Sequence, residues 1–427
     1  MIQFRYQINE GMPARQLILF GLQWFLSTIP MVIILGKVGG AFHYPQSPEL
    51  QLIYLQKIFF ITGISMFVQL IWGHRLPIIT GPASVLLIGI VANAHAVAET
   101  AVYNSIAVGG LLLVLLAATG LLAIVGRLFT PKIIGVVLLL IAFTLLPTVV
   151  NLVTAGKDQV FAQLVFAGVL FASMLIGQRY LPEALRSTII IWALFLGSFI
   201  YHLCFFTPDL QTPITVTTAT EWRLFPETFA IDPVVMLSFV FCFLALLINE
   251  LGSIQTTVSL VSQADGLQRT KRGVLVTGLG NLLAGIVGVV GPVSYSLSTG
   301  VIIASGCASR YPLILAAVAL GILGFLPFVI QAFSFIPSVV VGTLLFYMLC
   351  SQVAGGLGVL ASDMASFRFN TGLIIGVPVM LGTVVAFLPS HVAEAIPAMV
   401  RPLLMNGFVV GVAAALAMEH ALLREKV

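Results

Sequence analysis

Charge is what this chain has least of. Asp, Glu, Lys and Arg make up 8% of its 427 residues, about a third of the usual share in soluble domains, so it cannot clothe itself in a polar surface. Cysteine is scarce too. Cys204, Cys242, Cys307 and Cys350 lie in separate apolar stretches, which excludes a disulfide or metal framework and leaves small buried hydrophobes. The five aspartates (Asp158, Asp209, Asp232, Asp265, Asp363) are scattered, whereas an enzyme handling a metal–diphosphate would need them clustered, so no enzyme is expected. A leader pattern is also missing: "MIQFRYQINEGMPARQ" is polar, and the run behind it is too long for a signal core. Basic residues are spread across loops, which is no footprint for nucleic acid.

What is present is hydrophobicity, at 59% of residues and a mean hydropathy of +1.12. Runs such as "LILFGLQWFLSTIPMVIIL" are about the ~20 residues that span a bilayer. Punctuation divides the chain into fourteen such segments, the third near 77–95, the eighth near 233–261 and the tenth near 294–308. This predicts an all-α polytopic membrane protein. With the N-terminus inside, inner loops hold Arg5, Arg15, Arg75, Arg127, Lys132, Arg179, Arg186, Arg269, Lys271, Arg272, Arg310, Arg368, Arg424 and Lys426. The outer side holds only Lys37, Lys57, Lys157, Arg223 and Arg401. That asymmetry is the positive-inside pattern, so both termini are expected in the cytoplasm, in the cell membrane. His95, His202 and His420 lie near span ends and read as interfacial.

The chain repeats itself. "GPAS" at 81–84 returns as "GPVS" at 291–294, and "FTPKIIGVVLL" at 129–139 as "FIPSVVVGTLL" at 335–345. Order and offset are kept, so the chain reads as two halves of seven spans. Seven is odd, so the second half enters the membrane inverted, as in secondary transporters whose sites lie where interrupted helices meet. Proline biases the preceding residue towards an extended backbone, and Ser84 and Ser294 suit helix N-caps. Two half-helices would then face each other, offering free N–H groups and partial positive charge to a small planar ligand.

Glu250 is the acidic residue deepest in a span, in "FCFLALLINELGSIQTTVSLV". Charge at that depth is costly and marks a substrate or ion path. Burial disfavours the charged form, so this carboxyl is the expected proton-coupling group. Asn249 and Ser253 share its stretch, and Gln23 in the first span faces either the cavity or a neighbouring helix.

Taken together, "LILFGLQWFL", "LPIITGPASVLL", "FTPKIIGVVLLLIAFTLLP" and "RTKRGVLVTGLGNLLAGIVGVVGPVSYSLSTGVIIASGCASRYP" resemble the nucleobase/ascorbate transporters, which include the uracil and xanthine permeases. The resemblance covers nearly the whole chain. It implies two inverted repeats of seven, with short strands leading into segments 3 and 10. A core domain would take 13–126 and 233–330, and a gate domain 127–232 and 331–427. It also implies a homodimer. The family's base-binding Glu stands three residues before a Gly, and that position is Asn249, with Glu250 one residue later, about 100° further round the helix. In the tenth segment, aligned through Gly300, the base-edge positions are Leu297 and Ser298.

The expected activity is proton-coupled uptake of a nucleobase-like solute, with sodium as the alternative ion and no cofactor or metal. The expected binding residues are Ala83, Ser84, Asn249, Ser253, Ser294, Tyr295, Ser296, Leu297, Ser298 and Gln23. A carrier of a small anion on the same scaffold is the rival, since helix N-termini alone can hold an anion.

Overall fold

Backbone polar groups left unpaired in hydrocarbon are costly, so a chain this apolar folds into helices that satisfy their own amides. The computed structural model describes residues 4–93, 99–122, 130–155, 159–182, 189–205, 230, 232–261, 265–295, 298–362, 369–389, 392, 395–397 and 400–423. Among them, eight helices are long and apolar enough to span a bilayer, or nine if one bent pair is a single span.

The first half runs α1 (Ala14–His43), α2 (Pro48–Ile71), β1 (Thr80–Pro82), α3 (Ser84–Asn93) and α4 (Glu99–Thr119), then α5 (Pro131–Thr144), α6 (Leu146–Val153), α7 (Val160–Tyr180) and α8 (Ile189–Cys204). The second runs α9 (Pro233–Leu260), α10 (Gly266–Val287), β2 (Pro292–Ser294), α11 (Ser298–Ser305), α12 (Tyr311–Leu323) and α13 (Pro327–Ser334), then α14 (Ser338–Ser362), α15 (Phe369–Ala386), α16 (Arg401–Leu404) and α17 (Gly407–Ala417).

Local chemistry sets these ends. Asp232 caps α9, its carboxylate accepting from the Val234 and Val235 amides at 2.9 and 3.1 Å, and Thr130 caps α5 through Ile133. Gly288 closes α10 with a left-handed φ of 78°, a conformation glycine adopts without a Cβ penalty. The segment near 131–154 remains one span, Pro131–Val153, interrupted only by a turn between α5 and α6 where Pro147 opens the second piece. The segment near 311–330 bends by 95° between Tyr311–Leu323 and Pro327–Phe333.

Small residues bring the halves together. A Cβ added to Gly110 on α4 would lie 2.6 Å from the Gly278 carbonyl on α10, and one on Gly285 2.6 Å from the Tyr103 carbonyl. The two backbones touch along this seam, the close approach that small residues permit between membrane helices. In the same way Gly63 of α2 lies against Gly321 of α12. Cys242 and Cys307 are buried as expected, but Cys204 is exposed, because it ends α8 rather than facing a neighbour.

Candidate functional site

The two GPxS phrases meet. β1 and β2 pair antiparallel, with Thr80 opposite Ser294, Gly81 opposite Val293 and Pro82 opposite Pro292. The Ala83 amide donates to Gly291 O at 2.9 Å, and the Tyr295 amide to Ile79 O at 2.8 Å, so the ladder extends one bond past each end. All six paired residues are buried. Irregular backbone at this depth is tolerated only when enclosed by protein or lining a cavity, and here each strand satisfies the other.

The pairing also corrects one expectation. Ser294 is a strand residue and caps no helix, because the chain stays extended until Tyr295 has bonded Ile79. α11 begins four residues later, at Ser298. The hydroxyl of Ser298 accepts from the Ile79 amide at 2.9 Å and donates to Tyr295 O at 2.7 Å. In the first half the helix resumes at once. Ser84 opens α3, and the Ala83 carbonyl accepts from Leu86 and Leu87, which leaves the amides of Ser84 and Val85 ahead of the first intrahelical donor.

Glu250 reaches this junction. Its Oε2 accepts from the Ser294 amide at 2.7 Å and its Oε1 from the Ser294 hydroxyl at 2.9 Å. One turn on, the Ser253 hydroxyl donates to Ser294 O at 2.9 Å. α9 thus grips β2 through one serine, and Glu250, Ser253 and Ser294 have no exposed surface. The Ser294 and Ala83 amides, expected to be free for a ligand, are already taken.

Three polar residues that the sequence reading passed over complete the setting. Thr277 of α10 faces the Glu250 carboxylate, and Gln69 of α2 donates to Thr277 at 2.9 Å. Asn281 donates to Pro292 O at 2.8 Å and to Thr277 O at 2.7 Å. A Cβ on Gly291 would run into its carboxamide oxygen. The available signal was polarity inside apolar runs, the same rule that singled out Glu250.

Asn249 lies partly exposed beside this clamp. A Cβ added to Gly252, one turn on, would meet nothing within 4 Å, so this flank of α9 is open. Tyr295 is 8% exposed, and its hydroxyl donates to Pro82 O at 2.6 Å. Gln23 is partly exposed on α1, outside the hydrogen bonds that join the strands. Ser296 and Leu297 lie outside the described residues.

Comparison with known proteins fits this geometry. A family model for xanthine/uracil permeases, described as a permease family, matches residues 15–391. The "Putative purine permease YwdJ" of Bacillus subtilis is 26% identical over 95% of this chain and 96% of its own length. The xanthine permease of the same organism is 24% identical over 91% and 89%. Among solved structures, the transmembrane domain of a cyanobacterial bicarbonate transporter, BicA, superposes with a TM-score of 0.58 at 16% identity. That match covers 90% of this chain and 98% of that domain, a likeness of fold.

Proposed function

The chain belongs to the xanthine/uracil permease family, and on that premise we propose that it is a secondary transporter bringing a nucleobase (uracil, xanthine or a relative) into the cell with a proton. As a multi-pass membrane permease it needs a central site that two bodies can open in turn. The proposed architecture is fourteen segments in two inverted sevens. A core of 13–126 and 233–330 moves against a gate of 127–232 and 331–427, both termini are cytoplasmic, and two copies join through their gates.

The observation that carries this reading is the β1–β2 pair with Glu250 locked onto it. Repeats from the two halves meet in one enclosed junction, beside an open flank of α9. The solute sits against that flank, near Asn249 and Gly252, with the first amides of α3 and the Tyr295 ring as neighbours. Glu250 is the proton site. Protonation removes an acceptor from the Ser294 clamp, so proton binding alters how β2 is held. That is the differential contact a coupled carrier requires.

The anion reading has one observation in its favour. Asn249 stands where the resemblance places a base-binding carboxylate, and Glu250 is engaged with Ser294. The test for both is uptake into proteoliposomes with labelled uracil or xanthine, with and without an inward proton gradient. Accumulation that the gradient drives, and that unlabelled bases compete away, is expected. No uptake of labelled base, together with saturable uptake of labelled bicarbonate or sulfate, would replace the nucleobase with an anion.

A further inference from the structure

The second echo in the sequence marks a place the transport reading leaves unused. "FTP" at 129–131 and "FIP" at 335–337 stand 206 positions apart, each just past a proposed crossing from core to gate. Phe129 lies outside the described residues; the second crossing lies within them.

There α13, bent 95° from α12, ends at Ser334, and α14 begins at Ser338. Pro337 has no N–H to return to the carbonyls before it, and the last carbonyls of a helix need donors from elsewhere. The Phe333 carbonyl takes the Ile336 amide at 3.2 Å, and two side chains add further donors. Lys37 of α1 donates from Nζ to Phe333 O at 3.2 Å and also to Ile336 O. His202 of α8 meets Phe335 O through Nε2 at 2.8 Å, and since a carbonyl only accepts, that nitrogen carries the proton. The Phe333 ring stacks on Phe59 of α2, with centroids 5.8 Å apart and planes 16° apart. One turn is therefore held by α1 and α2, which the proposed division assigns to the core, and by α8, which it assigns to the gate.

A lysine among apolar helices is costly and is retained for a reason, and a cation at a helix C-terminus is favourably placed. We propose that the turn 333–337 is the pivot on which core moves against gate, with Lys37 its positioning residue on the core side and His202 the counterpart on the gate side. The proposal rests on the core-and-gate reading given above. Lys37 acts on transport through the turn rather than by binding the solute. Its bonds travel with α1 while the His202 bond stays with α8, so rotation is taken up between neighbouring carbonyls. His202 thus does more than sit at the interface.

The test uses the full chain with Lys37→Met, Lys37→Arg and His202→Ala. Hydrogen exchange needs no solute. Lys37→Met is expected to speed amide exchange across 333–341 while leaving 79–83 and 292–295 as in the wild type, and Lys37→Arg to restore protection. In proteoliposomes the maximal uptake rate of Lys37→Met is expected to fall about tenfold, the scale of one bond to a charged group, while equilibrium binding of the base holds. Unchanged exchange together with unchanged turnover overturns the pivot, as does weakened binding with the maximal rate intact. Should Lys37→Met fail to fold, His202→Ala must raise exchange in the same peptides, and unchanged exchange there overturns the proposal. If exchange rises in the variants but the wild type carries no base, the solute reading fails and the pivot stands.

Discussion

Glu250 has two oxygens and spends both on one serine, an arrangement that makes its neighbours' contributions separable. Ser294→Ala removes the hydroxyl bond and keeps the amide bond. It is expected to cost about 1–2 kcal/mol of stability, read as a lower Tm in detergent. Glu250→Gln keeps the shape but turns an NH2 towards a donor of Ser294. Uptake is expected to drop and to lose its dependence on the proton gradient; a Glu250→Gln protein with the wild-type pH profile would remove this residue from coupling. A second titratable group lies outside the spans. His74, between α2 and β1, is fully buried, accepts from the Leu76 amide through Nδ1, and has Arg269 bonded to its carbonyl at 3.0 Å. Burial, with the Arg269 charge adding to it, holds its pKa down at about 3 against an ordinary 6.5. The unfolded chain therefore binds a proton here that the folded chain refuses, and stability falls as pH drops from about 6.5 towards 3. Above that window His74 costs nothing. His74→Asn, which retains an acceptor for Leu76, is expected to flatten the fall of Tm between pH 6.5 and 4, and an equally steep fall would locate the acid sensitivity elsewhere.

Among the elements, β1 and β2 were legible and unusually so. A glycine–proline phrase repeated half a chain apart marked both strands, because only a break in helix needs that phrase. The start of α11 was not legible. Whether a serine after GPx caps a helix or continues a strand depends on a partner strand distant in sequence, and no local propensity encodes Ile79 O waiting for the Tyr295 amide. For the same reason Glu250 was legible in the sequence and its target was not. Depth in a span is local information, whereas the bond to Ser294 depends on how α9 lies across β2. Gly291 offers a test at this scale. Its Cβ position is occupied by Asn281, so Gly291→Ala is expected to destabilise by about 1–3 kcal/mol as overpacking. Asn281→Ala forfeits the bond to Pro292 O yet vacates that space. Added to Asn281→Ala, the Gly291 change should cost much less than alone, a coupling that a double-mutant cycle measures; strict additivity would mean that the two residues do not meet.

For the molecule as a whole, the membrane class followed from composition alone, while the pairing of α4 with α10 and of α2 with α12 needed coordinates, since small residues are common throughout so glycine-rich a chain. The open flank of α9 belongs to this scale because, on the proposed core-and-gate arrangement, it faces the gap between the two. Gly252→Leu is expected to leave Tm unchanged, as its side chain enters open space, and to abolish uptake by filling the room beside Asn249. Full uptake by that variant would move the solute off this flank. The pairing of β1 with β2 also bears on how the protein is made. When the first strand leaves the ribosome, its partner is nearly half the chain from being synthesised. Until Ser294 arrives, Thr80, Gly81 and Ala83 have no mate and face lipid, translocon or chaperone. Nascent permeases stalled before that point should therefore stay protease-sensitive near residue 80, and a gene cut between the halves should yield a competent carrier only when both fragments are expressed together.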